Sequence, residues 1–230
     1  MSGGDLHILY EDNHLLIVNK PAGVLVQGDR TGDAVLGEVY KSYLKEKYHK
    51  PGNVFLQPAH RLDRPVSGCM IFTRTSKATS RVTTAFREQQ VSKEYIMISD
   101  QLATSPSREI RHWLVKDSRT NTTRAFDRKR PNAKEALLSY HLVGDQEARF
   151  LYKVQPRTGR SHQIRVQMSR VGAPIIGDVK YGGIKHRNPN AILLHCSSMT
   201  LIHPTTKEPL SVSCQPNSKS EWGAALRLLR

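Results

Sequence analysis

The apolar positions of the chain follow two rhythms, one of period two and one of roughly 3.6. Between Ile8 and Val18 the run Ile-Leu-Tyr-Glu-Asp-Asn-His-Leu-Leu-Ile-Val predicts two short strands about an Asp-Asn-His turn. Asn19-Lys20-Pro21-Ala22-Gly23 stops the second strand, and residues 27–33 are polar and glycine-containing, a loop. Asp33 is placed to cap a helix through Val35, Val39 and Leu44, whose basic end from Lys41 to Lys50 reads as a solvated face. Cys69–Thr73 predicts a short buried strand, and Ser76 caps a helix with Ala78, Val82, Ala85 and Phe86 inward, running to about Gln90. Val91–Ile98 alternates, with Tyr95 and Met97 on one face and Ile96 and Ile98 on the other.

From Ser99 to about Lys134 no period stands out, and the segment reads as polar loop. Ala136–Val143 and Arg149–Gln155 predict a hairpin turning at Gly144-Asp145. Ser161 then caps a helix whose apolar stripe is Ile164, Met168 and Val171, with Gly172 as its stop. Asp178–Gly183 is a loop; Ala191–Leu201 and Pro209–Cys214 are strands joined by the turn His203–Thr206. The last ten residues suggest a short amphipathic helix through Trp222, Leu226 and Leu229. No internal repeat, low-complexity run or break in composition marks a second domain, so residues 1–230 are expected to form a single one.

Composition narrows the function classes. With 38% hydrophobic residues the chain reads as globular, and no apolar run approaches the ~20 residues needed to cross a bilayer. The N-terminus Met-Ser-Gly-Gly-Asp lacks a signal-peptide core, so a cytoplasmic location and no membrane partner are expected. Thirty-five Lys and Arg against twenty Asp and Glu give a net charge of +15, which points to a polyanionic partner, nucleic acid first. Much of that charge lies in residues 99–134, where phosphate contact and plain solvated surface are equally good readings. Three scattered cysteines exclude a disulfide framework. His195, Cys196, His203 and Cys214 contain no close Cys-x-x-Cys pair to anchor a metal, and read as core and strand positions.

Two stretches carry candidate chemistry. His60-Arg61-Leu62-Asp63-Arg64-Pro65-Val66-Ser67-Gly68 sets one carboxylate between two guanidinium groups and then breaks the backbone. If extended, it places Arg61 and Asp63 on one face and Leu62 on the other. An aspartate kept ionised by cations is a nucleophile or electrostatic group rather than an acid, although taken alone the motif is more simply a surface salt bridge. In Gly159-Arg160-Ser161-His162-Gln163-Ile164-Arg165, His162 and Arg165 lie three apart on one helix face. His162 there reads as a hydrogen bonder at the helix start, and Arg165 as solvent-exposed unless something acidic faces it. Tyr95, an aromatic in a strand, reads as core before wider context is considered.

That context is the ordered set Asn19-Lys20-Pro21-Ala22-Gly23, His60–Arg64 with Ser67-Gly68, Lys93-x-Tyr95, Gly159–Arg165, Pro174–Asp178 with Tyr181-Gly182, and Leu193-Leu194-His195. In this order the set resembles the RluA-type RNA pseudouridine synthases, over about residues 8–214. The resemblance implies an α+β fold with a long, mostly antiparallel, bifurcated sheet, surrounding helices and loops, and Asp63 on a loop in a central catalytic cleft. Larger members of that type add a small N-terminal RNA-binding domain, for which the first motif leaves no room here. The implied reaction isomerises specific uridines of ribosomal or transfer RNA to pseudouridine and needs no cofactor or metal. By the same resemblance Asp63 is the essential residue, Arg165 pairs with it, and Tyr95 packs against the base. Arg61 fills the space left by the flipped base, and Arg64, His60, Arg160 and His162 join it in holding structured RNA; a monomer is expected. Val66 stands where Thr is common and Gln167 where His is common.

Overall fold

The computed structural model describes residues 6–26, 28, 35–217 and 220–229. Strands β1 (Ile8–Glu11) and β2 (Leu15–Lys20) lead to helix α1 (Leu36–Lys47), strands β3 (Gln57–Pro58) and β4 (Ser67–Thr73), and helix α2 (Ser76–Arg87). Strands β5 (Ser92–Ser99), β6 (Ser107–Asp117), β7 (Thr122–Phe126), β8 (Lys134–Gln146) and β9 (Arg149–Pro156) follow, then helix α3 (Gln163–Arg170). Strands β10 (Leu194–Ile202) and β11 (Pro209–Ser213) and the single-turn helix α4 (Gly223–Leu226) complete an α+β chain. The described residues form two compact units, one from the chain up to Val91 with Ser198–Cys214, the other from Ser92–Ser197 with the segment after Cys214.

The first unit is built on β2 and β4, whose continuous apolar runs belong to strands buried on both faces: Leu15 to Val18 and Cys69 to Phe72 are fully buried. β2 lies between β1 and β4, all antiparallel, and the register sets Val18 against Met70 and Lys20 against Gly68. The second strand therefore runs through Asn19 and Lys20 rather than stopping before them. Asp12 makes the expected turn, its Oδ1 accepting the N–H of His14 at 2.8 Å and of Leu15 at 2.6 Å. Helix α1 buries Leu36, Tyr40 and Leu44, one face at i, i+4 and i+8. Asp33 lies outside the described residues; the N-cap position is held by Val35 without a side-chain bond. α2 is capped by Thr75, whose hydroxyl accepts the Ala78 N–H at 3.1 Å, one residue ahead of the predicted Ser76. β11 pairs along the outer half of β10, and His203 after it reaches Asp12 with Nε2 at 3.0 Å.

The second unit is an antiparallel meander in the order β5-β9-β8-β6-β7. Residues read as loop form β6 and β7 instead: Ile110, His112 and Leu114 point inward, while Arg111 and Trp113 between them point out. Leu114, Ala136 and Val166 form a small core with Ala125 and Tyr181, which seats α3 on the inner face of the sheet. The β8–β9 hairpin turns at Glu147-Ala148, both left-handed (φ 53° and 56°), and not at Gly144-Asp145. The register shift between Leu142 and Gly144 instead leaves Val143 as the extra residue of a bulge, with Gly144 paired to Leu151 beside it. α3 is buried all round its first two turns, from Gln163 to Met168, so the apolar stripe is only part of what it hides.

Candidate active site

In the first unit the Asp63 loop is laced to the end of β2. Because Lys20 sits opposite Gly68, its side chain runs under the loop, fully buried. Nζ donates to the carbonyls of Pro21 at 2.9 Å, Val24 at 3.0 Å and Arg64 at 3.2 Å, one acceptor for each of the ammonium's N–H bonds. Burial pulls Lys20 down to about 7, against the attraction of the Asp63 carboxylate and with the repulsion of Arg64. Gly23 N–H donates to the Arg64 carbonyl at 2.8 Å and Arg64 Nε returns to the Gly23 carbonyl at 3.0 Å. The loop closes as the Val66 N–H meets the Asp63 carbonyl at 3.0 Å. Leu62 and Val66 anchor it inward, Asp63 is half-buried, and Arg61 is exposed. His60 accepts the Ile71 N–H on Nε2 at 3.0 Å and lies 4.8 Å from the Phe86 ring, holding the base of the loop to β4 and α2.

In the second unit the chemistry gathers at the start of α3. His162, not Ser161, is the N-cap, in the left-handed region at φ 53°. Gln163 ties the turn before it, Oε1 accepting from Thr158 Oγ1 at 2.8 Å and from the Arg160 N–H at 2.9 Å. Arg160 is exposed, with Nε on the Glu135 carbonyl at 2.9 Å. Arg165 is buried, and the acidic group facing it within the unit is Asp178: Nε reaches Oδ2 at 2.6 Å and Nη2 reaches Oδ1 at 2.8 Å. This two-pronged geometry is the strong form of a guanidinium–carboxylate bond. Asp178 owes its place to two glycines. A Cβ on Gly177, at φ +90°, would lie 2.6 Å from the Ala191 carbonyl oxygen, and one on Gly183 would lie 1.9 Å from that of Ile175.

Tyr181 joins the two predicted residues of this stretch. Its ring lies 5.1 Å from the Arg165 guanidinium carbon, and its hydroxyl is 2.7 Å from His162 Nδ1. The hydroxyl also accepts the Thr123 N–H at 2.8 Å while carrying its own proton. Burial, helped by the Asp178 charge, raises the Tyr181 pKa and keeps that proton on the phenol, against the Thr123 bond and Arg165. Tyr95 is buried on β5 opposite Val154 of β9, and burial lowers the pKa of the neighbouring Lys93. Gln167 is fully buried, with Nε2 3.2 Å from His112 Nδ1 and 3.3 Å from the Ala136 carbonyl. Sequence reasoning assigned no role to Lys20, Asp178 or Tyr181, although each stood inside a motif that carried the resemblance. Among the described residues no group of three or more His, Cys, Asp or Glu is arranged to hold a metal.

A family model described as RNA pseudouridylate synthase matches residues 14–170, a span that includes Asp63, Tyr95 and Arg165. The ribosomal large subunit pseudouridine synthase C of Buchnera aphidicola (subsp. Schizaphis graminum) is 32% identical over 213 residues, covering 90% of this chain and 66% of that protein. This chain therefore spans about two thirds of that relative's length. The tRNA pseudouridine synthase C of Vibrio cholerae is 30% identical over 234 residues, covering 90% of this chain and 89% of the relative. Among solved structures, human RNA pseudouridylate synthase domain containing 4 shares the fold, with a TM-score of 0.77 at 24% identity over 97% of this chain and 93% of that one. The chain belongs to the RNA pseudouridylate synthase family, and within it to the RluA type.

Proposed function

We propose that this protein isomerises uridine to pseudouridine in ribosomal or transfer RNA, with Asp63 as the essential residue. The observation that carries the reading is the Asp63 loop: a half-buried carboxylate on a loop tied at the next residue, Arg64, to a fully buried lysine, in a chain that matches the family across that segment. A carboxylate held in place on a fixed loop is directed, as an attacking or proton-abstracting group requires. The reaction breaks the bond from ribose C1′ to uracil N1, turns the base and joins C1′ to C5. The proton leaving C5 is balanced by one gained at N1, so nothing is oxidised or hydrolysed.

Asp63 acts at the ribose, either on C1′ or by taking the 2′ proton. Reaching that position requires the nucleotide to leave its stack, at about a few kcal/mol. Arg61, exposed on the loop, is suited to stack where the base was. In this reading Tyr95 serves as an aromatic wall for the base, and Arg165, whose guanidinium is oriented by Asp178, as a cationic group of the site. Asp63→Asn is expected to abolish pseudouridine formation in RNA from cells lacking the protein, while the urea midpoint and RNA affinity stay near those of the parent. Retained activity in that variant overturns the assignment.

A further inference from the structure

The hairpin of β6 and β7 turns a face outward that the reaction above does not use. Register places Trp113, opposite both Phe126 and Glu135, on the same side as Val115 with Arg124, and Arg111 with Leu137. The other side of these strands carries Ile110, His112 and Leu114 and is closed against α3. On the outer side Trp113, Val115, Phe126 and Leu137 are only half-buried, and Arg111 and Arg124 are exposed. Arg130, from the exposed run Arg128-Lys129-Arg130, lays its guanidinium 4.3 Å above the Phe126 ring. The face is an apolar, aromatic floor with a cationic border.

Charge decides what fits it. Residues 107–134 hold nine Lys and Arg against three Asp and Glu, a net +6 out of the chain's +15. The acids are already engaged: Glu109 with Arg157 at 3.2 Å, Asp127 with Arg170 at 2.8 Å, Asp117 with the N–H of Arg119 at 2.9 Å, and Glu135, just after this segment and on the same face, with Arg111 at 3.4 Å. Among the described residues Arg124, Arg128, Lys129 and Arg130 have no acid at ion-pair distance. Cations in excess of the acids around half-covered aromatic rings, four of them without an acid at ion-pair distance, favour a polyanion that also has flat faces to stack. A neutral or basic protein surface would satisfy the floor but not the border.

We propose that this face holds the substrate RNA away from the target nucleotide, with Arg124 and Arg130 on phosphate oxygens and Trp113 as a platform for a base. The proposal rests on the reading of the protein as an RNA-modifying enzyme. It is tested on the full chain with a fluorescein-labelled, unmodified transfer RNA transcript. Arg124→Ala combined with Arg130→Ala should raise Kd about tenfold and reduce the slope of log Kd against log salt by about 1.5. In a Trp222→Phe background, which leaves Trp113 as the reporter, the RNA should quench tryptophan fluorescence. Removing two charges elsewhere, Lys45→Ala with Lys50→Ala, should cost far less. Unchanged affinity and slope, absence of quenching, or an equal loss from the lysine pair each overturns the proposal. Failure of the parent protein to form pseudouridine in any RNA would instead strike at the function, and leaves the binding measurements to judge the surface on their own.

Discussion

Lys20 shows how one buried charge can organise a site. Its three carbonyl partners come from both segments it joins, so the ammonium acts as a knot between the end of β2 and the loop bearing Asp63. Lys20→Met would strand three carbonyls, and a loss of about 2–4 kcal/mol in stability is expected by urea titration, together with a severe loss of turnover. The pH dependence has a definite sign. Below about 7 the proton is bound in folded and unfolded chains alike, and the folded state bears the whole cost of a buried ammonium. Between about 7 and the ordinary lysine range the unfolded chain holds a proton that the folded chain has released, so stability rises with pH. The difference in urea midpoint between parent and Lys20→Met should therefore widen from pH 7 to about 10. A difference that narrows over that range would show the ammonium to be the form the fold prefers.

At the scale of elements, α3 and the short segment from Gly177 to Gly183 work as one piece. Asp178 holds Arg165, Tyr181 spans Arg165 and His162, and Ser169 Oγ donates to the Tyr181 carbonyl at 2.6 Å. Asp178→Asn keeps the shape but removes the charge, and should cost about 3 kcal/mol in the urea titration with a fall in kcat; an unchanged midpoint would mean the pair is not a structural tie. The sequence disclosed α3, the strands about it and the run containing Asp178, because apolar period and glycine placement are local signals. It did not disclose the Arg165–Asp178 bond, since two residues thirteen apart meet only through the turn that Gly177 and Gly183 permit. β6 and β7 were illegible for another reason. Their inward positions include a histidine and a threonine, and their outward ones mix charged residues with Trp113, Val115 and Phe126, so the alternation is present in burial but faint in hydropathy. The α2 and α3 caps were each misplaced by one residue, because Thr75 and His162 supply the backbone geometry that the neighbouring serines do not. Asp63 itself was legible only through the set of motifs, its own nine residues being satisfied by a surface salt bridge.

For the whole molecule, isomerisation without hydrolysis or redox change predicts activity undiminished by a strong chelator; complete loss on chelation, restored by a divalent cation, would require a different chemistry. The chain also crosses between its two compact units three times, after Val91, Ser197 and Cys214. Neither unit is a continuous stretch, and this bears on how the protein is made. As synthesis proceeds from the N-terminus, β1, β2 and β4 can pair early, but β11 and the outer half of β10 emerge only after nearly the whole second unit has been translated. His203, which meets Asp12, and Cys214, whose Sγ lies 3.4 Å from that of Cys69, are the late ties. The first-made part of that unit thus waits for β11 and the outer half of β10 before its sheet can be completed.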